Sequence, residues 1–177
     1  LQKNIDGILE NINAQMSTYD PKSEISIFNN MPADSLMEIS DDFYYVLEKS
    51  KYYHDISEGQ FDITVDKLSS IWGFNKKHFI KPSEHLINIT LDIIGFDKIK
   101  LLNNNIISKK NRELEISLNA IAKGYALDKI SQYFDNNGIE NYMIEIGGEV
   151  KVKGKNSNKA NWIIAISSPI TENENYL

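Results

Sequence analysis

Gly59-Gln60-Phe61-Asp62-Ile63-Thr64-Val65-Asp66-Lys67-Leu68, followed at once by Ile71-Trp72-Gly73-Phe74, sets polar groups into a run too apolar to be an ordinary surface loop. Gly59 ahead of Phe61 and Asp62 permits a backbone conformation that other residues resist, and it lets a ligand approach the main chain closely. Read alone, the stretch is a helix C-cap followed by a buried strand, and Trp72-Gly73-Phe74 is core. Three further blocks shift that reading toward a binding site. Met16-Ser17-Thr18-Tyr19-Asp20-Pro21-Lys22-Ser23-Glu24-Ile25-Ser26-Ile27-Phe28-Asn29 precedes it, and Ile121-Ala122-Lys123-Gly124-Tyr125-Ala126 and Ile146-Gly147-Gly148-Glu149-Val150 follow it.

Outward from this loop the pattern is one of helices and hairpins. Ile5, Ile8, Leu9 and Ile12 fall on one helical face, so the chain opens with an amphipathic helix that ends before the Tyr19-Asp20-Pro21 turn. Ser40 reads as an N-cap with Asp41 and Asp42 in the first turn, and Phe43, Val46, Leu47 and Ser50 as a buried stripe of a helix that Gly59 stops. Pro82-Ser83-Glu84 starts a shorter helix ending near Gly95. Strands are expected over 98–102, 106–108 and 113–118, the first two joined by Asn103-Asn104-Asn105. A third helix spans about 121–137, with Ala126, Ile130, Tyr133 and Phe134 inward and Gly138 as its cap, and strands follow over 142–146, 150–153 and 162–166. Without regular βαβ alternation the fold class is α+β, organised as a single domain over residues 1–177.

Composition removes several functions. A chain of 177 residues with 41% hydrophobic and 10% aromatic residues can bury a sizeable core. The net charge of −6 and pI near 5.1 offer no basic footprint for nucleic acid. Without cysteine there is no disulfide, thiolate metal site or thiol nucleophile, and His54, His78 and His85 are too scattered for zinc, so any metal would be held by oxygen. No apolar run approaches membrane-spanning length, and the start at Leu1 reads as the result of a removed signal segment or tag.

The chemistry-bearing residues are few. Ser117-Leu118-Asn119-Ala120-Ile121-Ala122-Lys123 runs from a strand into a helix start, where unpaired N–H groups and the positive dipole end favour phosphate oxygens. Lys123 stands there against the dipole preference, so it reads either as a solvated lysine of the first helical turn or as a modest hint of an anionic ligand. Gly147-Gly148 is a simple bend when taken alone; with Glu145 and Glu149 beside it, the same bend could present carboxylate and backbone to a ribose or a ring. No dinucleotide fingerprint, P-loop, hydrolase elbow or paired-histidine metal motif is present.

In their order, Met-Ser-Thr-Tyr (16–19), Gly-x-Phe-Asp-x-Thr-Val (59–65) with Trp-Gly-Phe (72–74), Ala-Lys-Gly-Tyr-Ala (122–126) and Gly-Gly-Glu (147–149) resemble the ApbE family of flavin-attaching enzymes. The resemblance implies an ApbE-like, T-fold-like α+β architecture. It further implies binding of FAD, Mg²⁺-assisted cleavage of its pyrophosphate, and transfer of FMN to a threonine of an acceptor flavoprotein with release of AMP. Position by position, it implies that Tyr19 packs on the flavin and that Gln60, Phe61 and Asp62 contact the dinucleotide. It places Ser117 at a polar FAD contact, Lys123 at a cofactor contact, and the Ala120 carbonyl on Mg²⁺.

Acceptors in such systems are subunits of membrane redox complexes, so the resemblance implies a periplasmic or extracytoplasmic location and peripheral membrane association through a removed lipid anchor. Family members also carry a Met-Gly-Thr strand ahead of the first helix. They continue beyond the position of Pro169 with Thr-Ser-Gly, a His-Ile-Ile-Asp-Pro segment bearing the proposed catalytic histidine, and an Asp and Thr that hold Mg²⁺. By that comparison the chain reads as incomplete at both ends, with its catalytic groups expected beyond Leu177. The competing readings are a non-catalytic flavin-binding or trafficking protein and a plain interaction domain whose aromatic loops are core.

Overall fold

The computed structural model describes residues 1–74 and 81–166, and its contacts divide the chain into two units, Leu1–Ala126 and Leu127–Leu177. In the first unit the opening apolar spacing forms α1 (Gln2–Met16), which buries Ile12 and Met16. A helix of seven residues that periodicity cannot reveal, α2 (Glu24–Asn30), follows under an N-cap in which the Ser23 hydroxyl accepts from the Ser26 N–H. After a two-residue strand, β1 (Met37–Glu38), comes α3 (Asp41–Ile56), capped by Ser40 and burying Phe43, Val46, Leu47 and Ser50 as its sequence pattern predicts. Two short helices, α4 (Asp66–Ile71) and α5 (Glu84–Ile93), lead to a 3₁₀ turn, Phe96–Lys98.

The expected hairpin is present. β2 (Ile99–Leu102) pairs antiparallel with β3 (Ile106–Lys109), closing at Leu102 against Ile106 across the three asparagines. Asn104 and Asn105 take the left-handed conformation (φ 60° and 55°) that asparagine tolerates better than most residues. β1 adds to the other side of β3, giving the order β1-β3-β2.

The expected strand at 113–118 is not one. Its alternation is real, since Leu114, Ile116 and Leu118 are buried, but no strand pairs with it among the described residues. A side chain takes the place of the missing ladder: Asn29 Nδ2 donates to the Ile116 carbonyl (3.0 Å) and Asn29 Oδ1 accepts from the Ile116 N–H (2.8 Å). The fully buried Lys109 holds the same segment. Its ammonium donates to the carbonyls of Asn29 (2.6 Å), Arg112 (2.9 Å) and Leu114 (2.9 Å) and lies 5.5 Å from the Phe28 ring centre.

In the second unit, the later turns of α6 (Ala122–Asn136) bury Ile130 and Phe134, leave Tyr133 half-exposed, and end at Gly138 in the expected left-handed cap (φ 71°). β4 (Tyr142–Ile146) and β5 (Glu149–Lys153) form a hairpin whose two-residue turn is Gly147-Gly148, both at positive φ (56° and 94°). A two-residue connection with both φ values positive is the twist-compatible hairpin turn that favours glycine. Residues 162–166, expected as a strand, pair with no strand among the described residues. Trp162 is anchored by its indole N–H to the Lys153 carbonyl (3.0 Å), while Ile163 is 92% exposed.

Asp135 fastens the hairpin to the helix, accepting from the Lys153 ammonium (2.9 Å) and the Tyr142 hydroxyl (3.1 Å). The bond from Lys153 is the main cause that holds the Asp135 carboxyl below its usual value, and Asp135 in turn raises Lys153. The Asp135 contribution is present above the ordinary carboxylate range and is lost as pH falls through the lowered value. The Lys153 contribution is present below 10.5 and is lost as pH rises through the raised one. Acidification should therefore loosen this tie in the wild type and not in Asp135→Asn, as followed by the amide shifts of Tyr142 and Lys153.

Candidate functional site

The loop after α3 is built by turning left-handed twice: Glu58 (φ 53°) and then Gly59 (φ 81°) reverse the chain, and the Gly59 N–H closes back on the His54 carbonyl at 2.9 Å. The stretch that follows forms turns and then α4, not a buried strand, because its polar groups bond locally. The Phe61 N–H donates to Ser57 Oγ (2.9 Å), and the Phe61 carbonyl lies 2.9 Å from His54 Nδ1. Asp62 Oδ1 accepts from both the N–H (2.8 Å) and the hydroxyl (2.7 Å) of Thr64, while Oδ2 accepts from the Phe96 N–H (3.3 Å). Thr64, fully buried, accepts in turn from the Gly95 N–H at 2.8 Å. Ile63 offers its carbonyl to the Ser117 N–H at 2.8 Å, which fastens this loop to the segment held by Asn29 and Lys109.

The two fastened segments face one concavity of about 270 Å³. Gln60, Phe61 and Asp62 from one, and Ser117 and Ala120 from the other, line it, so five of the seven sequence-predicted site residues meet there. Ala120 lies in the turn before α6, where the Ile121 and Ala122 N–H groups both donate to the Leu118 carbonyl. Lys123 stands three positions further on, half-buried in the first turn of α6 and outside the wall. Tyr19 is also outside it, with its side chain 88% exposed in the connection between α1 and α2. Its neighbour Thr18 lines a second concavity of about 350 Å³ together with Ser26, Asn29, Asn30, Asp66 and Glu115. Asp66 lines both, so the block around Tyr19 adjoins the main hollow without closing it.

Asn119, in the run between Ser117 and Ala120, and Asp66, just after the Gly59–Val65 motif, also line the hollow. His54, which the sequence presents only as one of three scattered histidines, and Ser57 carry no pattern of their own at a helix end. His78, counted among the scattered histidines, lies outside the described residues.

The metal expectation fares differently from the loop. Among the described residues no group of three or more His, Cys, Asp or Glu is placed to hold a metal ion. The Asp62 carboxylate, in the same wall as Ala120, is already taken up by Thr64 and Phe96. A hard divalent cation needs near-octahedral oxygen coordination, and these residues alone do not compose it.

The family model described as the ApbE family matches residues 1–177. The chain belongs to the ApbE family. Among its ApbE relatives, the FAD:protein FMN transferase of Vibrio cholerae is 37% identical over 96% of this chain and 51% of its own length. That of Haemophilus influenzae has the same identity and the same two shares. Of solved structures, the flavin transferase ApbE from Vibrio cholerae superposes with a TM-score of 0.88 at 36% identity, covering 95% of this chain and 55% of that one. The apo flavinyl transferase ApbE of Pseudomonas stutzeri gives 0.87 at 28% identity, covering 96% and 54%. These likenesses bear out the ApbE-like α+β architecture, and the chain spans about half the length of the curated relatives it matches. No helix among the described residues is long and apolar enough to cross a membrane.

Proposed function

We propose that this chain forms the flavin-binding part of an FAD:protein FMN transferase. The observation that carries the reading is the convergence of Gln60, Phe61 and Asp62 with Ser117 and Ala120, from blocks more than fifty positions apart, on one hollow. The hollow is at the small end for a ligand site, and the adjoining one that shares Asp66 suits a two-part ligand such as a dinucleotide. The printed names of the relatives, FAD:protein FMN transferase, agree with it.

In this reading Tyr19 packs on the flavin, the 60–62 loop and Ser117 meet the dinucleotide, and Lys123 addresses phosphate from the start of α6. The hydroxyl oxygen of an acceptor threonine forms a bond to the FMN phosphorus. The bond from that phosphorus to the bridging oxygen breaks, AMP leaves with that oxygen, and the threonine proton passes to a base. Mg²⁺ would supply charge neutralisation at the pyrophosphate in this reading; this chain would offer it the Ala120 carbonyl, and carboxylate ligands would have to come from elsewhere. The acceptor is a flavoprotein subunit of a membrane redox complex, and the place of action is the extracytoplasmic face of the membrane.

Titration of FAD with the protein should quench flavin fluorescence, and adding Mg²⁺ with an acceptor domain to a version extended to the length of its relatives should yield AMP and a flavinylated threonine. Quenching with no AMP under those conditions would favour a flavin-binding or trafficking role. No quenching would remove the flavin reading. Lys123→Ala should weaken FAD binding more than riboflavin binding, since a lysine at a helix start addresses phosphate and leaves ring contacts alone. The gap should narrow with added salt. Equal losses for both ligands in calorimetry would assign Lys123 to folding instead.

A further inference from the structure

Phe61, in the wall of the main hollow, has both of its backbone polar groups bonded to the end of α3. Its N–H donates to Ser57 Oγ and its carbonyl faces His54 Nδ1, each at 2.9 Å. A carbonyl oxygen can only accept, so Nδ1 carries the hydrogen, which fixes the orientation of the ring. The Ser57 hydroxyl itself donates to the His54 carbonyl (3.2 Å), joining the two clamp residues. The His54 ring lies against Phe96 with centroids 5.4 Å apart, and Asp62 Oδ2 stands 3.8 Å from Nδ1. The loop being held leaves α3 through two successive left-handed residues, a conformation with little intrinsic preference to maintain it.

We propose that His54 and Ser57 are positioning residues that hold the Phe61 peptide, and with it the 60–62 wall, in the geometry that receives the flavin dinucleotide. The proposal rests on the flavin reading above. It does not require either side chain to touch the ligand. It assigns His54 a donor role, whereas a purely packing role would ask only for an aromatic ring on Phe96.

Two substitutions separate those roles. His54→Phe keeps a ring against Phe96 and removes the Nδ1 hydrogen; His54→Asn places an amide nitrogen near the position of Nδ1 and removes the ring. Ser57→Ala removes the acceptor of the Phe61 N–H. In FAD titrations followed by fluorescence, His54→Phe and Ser57→Ala should each lose about 3- to 10-fold in affinity, the range set by one net hydrogen bond. His54→Asn should remain within about 2-fold of wild type even where its thermal stability falls. His54→Phe binding like wild type, or His54→Asn binding as weakly as His54→Phe, would overturn the proposal. Hydrogen exchange of the unliganded variants separates this from the flavin reading. The Phe61 amide should lose protection in Ser57→Ala, and unchanged protection would overturn the clamp. Lost protection in a protein whose wild type shows no FAD affinity would support the clamp and overturn only the ligand named for it.

Discussion

Lys109→Met should lower the unfolding free energy by about 3 kcal/mol, measured by urea denaturation at neutral pH. Two opposing effects set that size. Burial lowers the Lys109 ammonium from 10.5 to about 8, opposed by Glu115 and assisted by Lys67 and Arg112. A displacement of that size means that holding the cation inside costs roughly 3 kcal/mol, which methionine relieves. Methionine keeps the stem near Phe28 but leaves the carbonyls of Asn29, Arg112 and Leu114 without this donor, at about 1–3 kcal/mol each. The orphaned carbonyls therefore win. A variant as stable as the wild type would show that the three bonds do no more than offset the burial of the charge.

The same pair of proteins has a pH signature. Below pH 8 the lysine is protonated in both folded and unfolded chains, so it adds no slope. Between about 8 and 10.5 the unfolded chain holds a proton that the folded chain has released, so wild-type stability should rise with pH relative to Lys109→Met. A difference that fell across that window would contradict the lowered value.

Asp62→Ala should have the second large effect, lowering stability by about 2–4 kcal/mol and FAD affinity by about tenfold or more. Its carboxylate is spent on Thr64 and Phe96, so alanine strands the N–H and hydroxyl of a fully buried threonine and one further N–H. Asp62→Asn can still accept from Thr64 but turns an NH₂ toward the Phe96 N–H, and should fall between the two. An asparagine variant with wild-type stability and the flavin affinity of the alanine variant would mean that the charge itself meets the ligand.

What was legible in the sequence follows from how far each signal reaches. α1 declared itself by its apolar spacing alone, and α3 and α6 because a buried stripe and a cap at Ser40 or Gly138 lie within a few residues of one another. α2 and α4 are too short for a period, and α4 has no side-chain cap at Val65. The alternation at 113–118 correctly marked the buried face of Leu114, Ile116 and Leu118. It could not say what pairs with the backbone, because the partner is an amide 87 residues away in sequence. Of the site, the motif blocks supplied the wall; the side chains that hold the wall, His54, Ser57, Asn29 and Lys109, act through backbone atoms and leave no pattern to recognise.

The internal bonding of residues 60–64 also bears on how fast a ligand can be taken up. Ordering a loose segment costs about 1–2 kcal/mol per residue in backbone entropy and inserts a conformational step before or after encounter. Here Phe61, Asp62, Ile63 and Thr64 are each tied to another part of the first unit before any ligand arrives. Stopped-flow mixing should then give a single exponential whose rate rises linearly with ligand concentration, without the plateau that marks a slow isomerisation. Such a loop gives up adaptability in return: a ligand that does not match its contour meets a wall that cannot yield at low cost.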